Sequence, residues 1–147
     1  MIGELYSDRI LAAASSIPAA RRLAGADATA KKVSRVCGSE VDVDLKMDGD
    51  TVSDFGMEAR ACALGQAAAS IVARHVVGAS AAELYRLRDE MKAMLKEGGP
   101  PPSGERWADL AVLEPIRDYP QRHASTMLVF EAIAACLDQL SAQHGEA

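Results

Sequence analysis

Two cysteines in the first half of the chain, Cys37 and Cys62, have the residue type and the local setting for sulfur or metal chemistry. Cys37 closes a strand-like run, Val33-Ser34-Arg35-Val36-Cys37, and Gly38 opens the backbone beside it. Cys62 stands where an alanine-rich helix should begin, in Ala61-Cys62-Ala63-Leu64-Gly65-Gln66-Ala67-Ala68-Ala69-Ser70. A helix start leaves backbone N–H groups unpaired and carries the positive end of the helix dipole, and both favour a thiolate. A free thiol titrates near about pH 8.5, and such positions lower that by one to several units. The thiolate is the form that binds metals and attacks sulfur.

The other candidates divide by their surroundings. Cys136 falls on the apolar face of the last helix with Ile133, Leu137 and Leu140, so it reads as a packing residue. His75 continues the face of Leu64, Ala68 and Ile71 and reads as a core or edge histidine, while His144 lies in a polar tail. Asp42, Asp44, Asp48, Asp50 and Asp54 lack the acidic loop with a distal glutamate that a calcium hand needs, and they read as a solvated strand face. Gly98-Gly99 is followed by prolines and not by Lys-Ser/Thr, so it is no phosphate loop.

The 147 residues are 49% hydrophobic, enough for one buried core, and a single domain over 1–147 is expected. A net charge of -5 argues against nucleic acid or an anionic membrane as the main partner. No stretch reads as long and apolar enough to span a bilayer, and no secretory leader is visible at Met1–Arg9. Three widely spaced cysteines do not form a disulfide framework, so a reducing, cytoplasmic setting is expected.

The elements that must position the cysteines follow from periodicity. Leu5 to about Ile17 reads as a first helix ended by Pro18, and residues 25–30 read as a loop. Val41, Val43, Leu45 and Met47 alternate with Asp42, Asp44, Lys46 and Asp48, the pattern of a strand with one wet face. Asp48-Gly49-Asp50 turns the chain back into Thr51–Phe55, and Lys32–Cys37 supplies a third strand. After about Ala59 the chain reads as helical. One helix ends at Gly78. Ser80-Ala81-Ala82-Glu83 opens another as a capping box, with Leu84, Leu87, Met91 and Leu95 as its stripe. Residues 98–105 form a Gly/Pro linker, Trp107–Leu113 a short helix cut off before Pro115, and Pro120 opens the last helix, with a flexible tail over 142–147. The fold class is therefore α+β, a small three-stranded antiparallel sheet packed against several helices.

This order of elements resembles the IscU/SufU/NifU-type iron–sulfur cluster assembly scaffolds. The residues that carry the resemblance are Leu5–Leu11, Cys37-Gly38, Asp54-Phe55, Ala61-Cys62-Ala63 with Ala69-Ser70, and Pro120–Ser125, while the stretch between Leu95 and Pro120 is more like the SufU branch. The resemblance implies that Cys37 and Cys62 hold zinc, iron or a transient iron–sulfur cluster, and that a cysteine desulfurase and cluster-recipient proteins are the partners. The chain departs from the pattern where the chemistry lies. Ser39 replaces the family aspartate after Cys-Gly, and Ser125 replaces the third cysteine. Glu40, His123 and Ser125 are the candidates to complete a site, since zinc accepts mixed sulfur, nitrogen and oxygen ligands. For His123 the competing reading is a solvent-facing residue of a first helical turn. Three functions remain open: a scaffold using both cysteines, with other ligands or a second subunit completing the site; a carrier that accepts persulfide sulfur on Cys62; and a degenerate member that only binds partners. None is an enzyme in the ordinary sense, although the second transfers sulfur.

Overall fold

The computed structural model describes residues 22–34, 38–61 and 63–145, with side chains described through 141. The expected first helix, and the positions of Cys37 and Cys62 themselves, lie outside the described residues. Three strands, β1 (Ala28–Val33), β2 (Glu40–Asp48) and β3 (Thr51–Arg60), form an antiparallel meander in the order β1-β2-β3. Three α-helices follow: α1 (Ala63–His75), α2 (Ala81–Glu97) and α3 (His123–Gly145). Two 3-10 stretches, Glu105–Asp118 and Pro120–Arg122, join α2 to α3.

The hairpin forms where the sequence signals it. Asp48 pairs with Thr51 around a two-residue loop, and Gly49 takes φ +63 there, a conformation most side chains avoid. β1 begins earlier than its composition suggests. Ala28–Ala30, expected in a loop, pair with Leu45–Val43, because Ala28 and Ala30 present small side chains to the core. In the opposite direction the regular strand stops at Val33, short of the expected run toward Cys37. β3 likewise runs on to Arg60, five residues past the expected Phe55 end.

One face of the sheet carries Val41, Val43, Leu45, Phe55 and Met57, and α3 packs over β1 and β2 as well as against α1 and α2. α3 is buried almost all round, with Met127, Leu128, Val129 and Phe130 consecutive in the core. This corrects one expectation. The stretch Pro120–Ser141 is long and apolar enough to cross a membrane by length and composition alone, yet most of it is buried inside the protein. Its apolar surface is the centre of the core.

Caps and turns are set by single residues. Ser80 caps α2, its hydroxyl accepting from Glu83 N–H at 3.1 Å, and Gly98 ends the helix at φ 69. The Glu83 carboxylate turns to the Trp107 indole N–H at 2.8 Å and to Arg106 at 3.1 Å. Arg106 in turn donates to the carbonyls of His75, Val77 and Gly78, closing the C-terminal end of α1. The stretch after Gly98 is fastened, because Gly99 N–H reaches Ala93 O and Ser103 donates to Glu90. The helix expected to stop before Pro115 continues past it to Asp118 as 3-10 turns, which close by i to i+3 bonds. α3 runs to Gly145, past the expected start of the tail, and His144 falls within its backbone span.

Candidate functional site

The register of the sheet decides where the two cysteine segments emerge. Glu40 pairs with Arg60 and Val41 with Ala59, so the chain enters β2 and leaves β3 at the same end of the ladder. The segment ahead of Glu40 carries Cys37, and the one after Arg60 carries Cys62. The described parts of both segments are firmly held. Gly38 donates to Ser34 O at 2.9 Å, and Ser34 N–H donates to Ser39 O at 2.8 Å. Gly38 takes φ +73, which explains why glycine follows the cysteine. Ser34 and Ser39 are both buried.

On the other segment, α1 starts at Ala63, and Gln66 donates from its side chain to Ala59 O at 3.0 Å. Its first turn holds no acidic residue, so no carboxylate offsets the positive dipole end. Gly65 lets the start of α3 come close. A Cβ there would lie 2.8 Å from Ala61 Cβ and 3.1 Å from the Ser125 carbonyl oxygen. The fold thus brings the third-cysteine position, Ser125, against the opening turn of the helix that follows Cys62.

The other candidates fare differently. The Ser125 side chain is buried and its hydroxyl donates to Arg122 O at 3.2 Å. His123 is not the solvent-facing residue that its place in a first helical turn suggests. It is 7% exposed, and Nε2 lies 3.0 Å from Ile116 O and 3.2 Å from Arg117 O. Two carbonyls can only accept, so Nε2 is the nitrogen that donates here. Metal-binding histidines are commonly oriented in this way, by donating the other ring N–H to a carbonyl. Glu40 is engaged elsewhere. Its carboxylate faces Lys31 at 3.7 Å and Arg60 at 3.6 Å, and strand alternation turns it away from the face of Ser39 and Val41. Among the described residues, no group of three or more His, Cys, Asp or Glu side chains could hold a metal ion.

The packing residues are as expected, with one exception. Cys136 is fully buried, with Sγ 3.6 Å from Val43 O, and burial pushes its thiol up to about 12. His75 sits at the edge, 3.1 Å from Asp109. The aspartates of β2 do not all lie on a wet face, however. Asp44 is 2% exposed and accepts from Arg22 Nε at 2.7 Å, Arg22 Nη2 at 3.0 Å, Leu23 N–H at 3.0 Å and Thr29 Oγ1 at 2.8 Å. The Arg22 guanidinium foremost holds this carboxyl at about 2. An acidic residue in an alternating strand gives no sequence signal of a partner more than twenty residues away.

The chain was compared with known proteins. The NifU-like N terminal domain model matches residues 6–126, a span that contains Cys37, Cys62 and Ser125. The iron–sulfur cluster assembly scaffold protein IscU of Thermotoga maritima is 25% identical over 137 residues, which cover 93% of this chain and 95% of that protein. The N-terminal part of a nitrogen-fixing NifU-like protein from Brucella abortus superposes with a TM-score of 0.92 at 50% identity, covering 95% of this chain and 96% of that one. A putative scaffold protein for the SUF system from Fervidobacterium islandicum shares the fold, with a TM-score of 0.82 at 19% identity over 92% of this chain and 98% of that one. The matched span, the half-identical relative and the shared meander-and-helix architecture agree, and the chain belongs to the NifU-like N-terminal domain family.

Proposed function

We propose that this protein is a scaffold for iron–sulfur cluster assembly, with Cys37 and Cys62 as the thiolates that hold iron, zinc or a nascent cluster. The observation that carries this reading is the β2–β3 register, which sends both cysteine segments from one end of the sheet, together with the family match across them. The Thermotoga relative bears the name of such a scaffold. The cluster is cargo, built and passed on, so two protein thiolates need help from further donors while it is held, because clusters usually take four cysteines. His123 offers Nδ1 for that purpose near Ser125, and a second subunit offers another route. A cysteine desulfurase as sulfur source, recipient proteins and a reducing cytoplasmic setting complete the proposal.

The test is anaerobic purification followed by zinc, iron and sulfide determination per chain, in the parent and in Cys37→Ala/Cys62→Ala. Metal near one per chain in the parent and absent from the double variant supports the site. Equal content in both refutes it.

The replacement of the third cysteine by Ser125 favours a second reading, a sulfur carrier, because that role needs one thiolate only. The Cys62 thiolate would attack the outer sulfur of a desulfurase persulfide. The sulfur–sulfur bond breaks, the desulfurase leaves as a thiolate, and Cys62 becomes the persulfide. A mass gain of one sulfur on Cys62, retained in Cys37→Ala, marks this role.

A further inference from the structure

Between the end of β1, the last turns of α2 and the start of α3 lies a groove of about 750 Å³. Leu95, Met127 and Leu128 give it apolar walls, and Val33 at its lip is 51% exposed, unusual for a large hydrophobic residue here. Its rim is cationic. Among the described lining residues, Lys32, Lys92, Lys96 and Arg117 border it against a single carboxylate, Glu131. Among the described residues, Lys32, Lys92 and Lys96 make no ion pair, and Arg117 meets only Glu114 at 3.5 Å. Lys96 in the last turn of α2 suits the helix dipole. Lys92, one turn earlier on the same face, adds like-charge repulsion within the helix, and Lys32 and Arg117 arrive from other elements. Helix stability does not explain the cluster. A chain of net charge -5 sets four of its 16 Lys and Arg residues around one apolar groove.

We propose that this groove docks an acidic polypeptide segment of a partner protein, one that sets apolar side chains between its carboxylates. The chemistry matches on both counts, with an apolar floor for the side chains and a cationic rim for the charges. The volume suits a few side chains of a short segment. Nucleic acid fits less well, because no Phe, Tyr or Trp among the described lining residues offers a base a stacking face and the whole chain repels a long polyanion. Pro120 and His123 also line the groove, so an occupant lies beside the segment leading to Ser125. The inference does not depend on the scaffold function.

The experiment pans a random twelve-residue peptide library against the full chain and against Lys92→Glu/Lys96→Glu. Both lysines are solvent-exposed, and a melting curve confirms that the variant folds. The expected pool from the parent is rich in Asp and Glu alternating with Leu, Ile, Met or Phe. Its selected peptides bind the double variant about tenfold or more weakly and lose affinity with added salt. Val33→Glu weakens the same peptides. A pool without acidic enrichment, or peptides that bind parent and variant equally, overturns the proposal. So do two other results that the charge reversal abolishes: tighter binding of a single-stranded RNA twelve-mer or phosphatidylserine vesicles than of any selected peptide, and a dimer seen by sedimentation.

Discussion

Replacing Asp44 by Asn removes a buried charge that four donors converge on, and its cost can be worked from the structure. Arg22 foremost, then the Leu23 N–H and the Thr29 hydroxyl, hold the carboxyl at about 2, down from 3.8, against a desolvation that pushes it up. The corresponding linked stability is about 2.5 kcal/mol. The Arg22 side chain is 43% exposed and can rehydrate, so solvent screening brings the expected loss to about 2 kcal/mol near neutral pH. For a chain of this size that is a fall of roughly 4–8 °C in melting temperature. The sign of the pH dependence is fixed. The folded state holds this carboxyl deprotonated below its unfolded value, so the contribution is present above pH 3.8 and fades as pH falls toward about 2. Thermal melts of parent and Asp44→Asn between pH 7 and pH 2 should therefore converge at the acid end. A difference below about 0.5 kcal/mol at pH 7, or one that stays constant into acid, refutes the reasoning.

Gly65→Ala should destabilise by about 1 kcal/mol in urea unfolding, because the steric cost against Ala61 and Ser125 O outweighs the gain in helix propensity; a more stable variant would show that α1 and α3 are not in close approach there. Glu83→Ala should cost about 2 kcal/mol, since it strips the acceptor from the buried indole N–H of Trp107 and from Arg106. The single tryptophan makes this visible by fluorescence, and an unchanged denaturation midpoint counts against it. Cys136, with its thiol pushed up to about 12, should resist iodoacetamide at pH 8 in the native protein and react only on unfolding. Labelling at the rate of the unfolded chain would place it at the surface.

Much of the fold was legible because its signals are local. The Val41–Met47 alternation, the Gly49 turn, the Ser80 cap and the stripe of α2 each depend on neighbours a few positions away, and each stands in the structure. What failed to show was set at long range. Ala28–Ala30 look like a loop until pairing with Val43–Leu45 gives their small side chains a core to face. Asp44 looks solvated until Arg22 reaches it, and the lysines around the groove are dispersed in sequence and meet only in space. The site shows the same division. Residue types and local setting pointed to Cys37 and Cys62, the family resemblance pointed to the Ser125 position, and the structure brings Ser125 against Gly65. The burial of His123 depends on the carbonyls of Ile116 and Arg117, and the diversion of Glu40 on Lys31 and Arg60, none of which a linear pattern announces.

The scaffold assignment is tested most directly by iron and acid-labile sulfide bound per chain after anaerobic incubation with ferrous iron, free cysteine and a cysteine desulfurase. The account predicts visible cluster absorption with matching iron and sulfide on the parent, lost in both Cys37→Ala and Cys62→Ala. Equal iron and sulfide on the parent and both variants would contradict it.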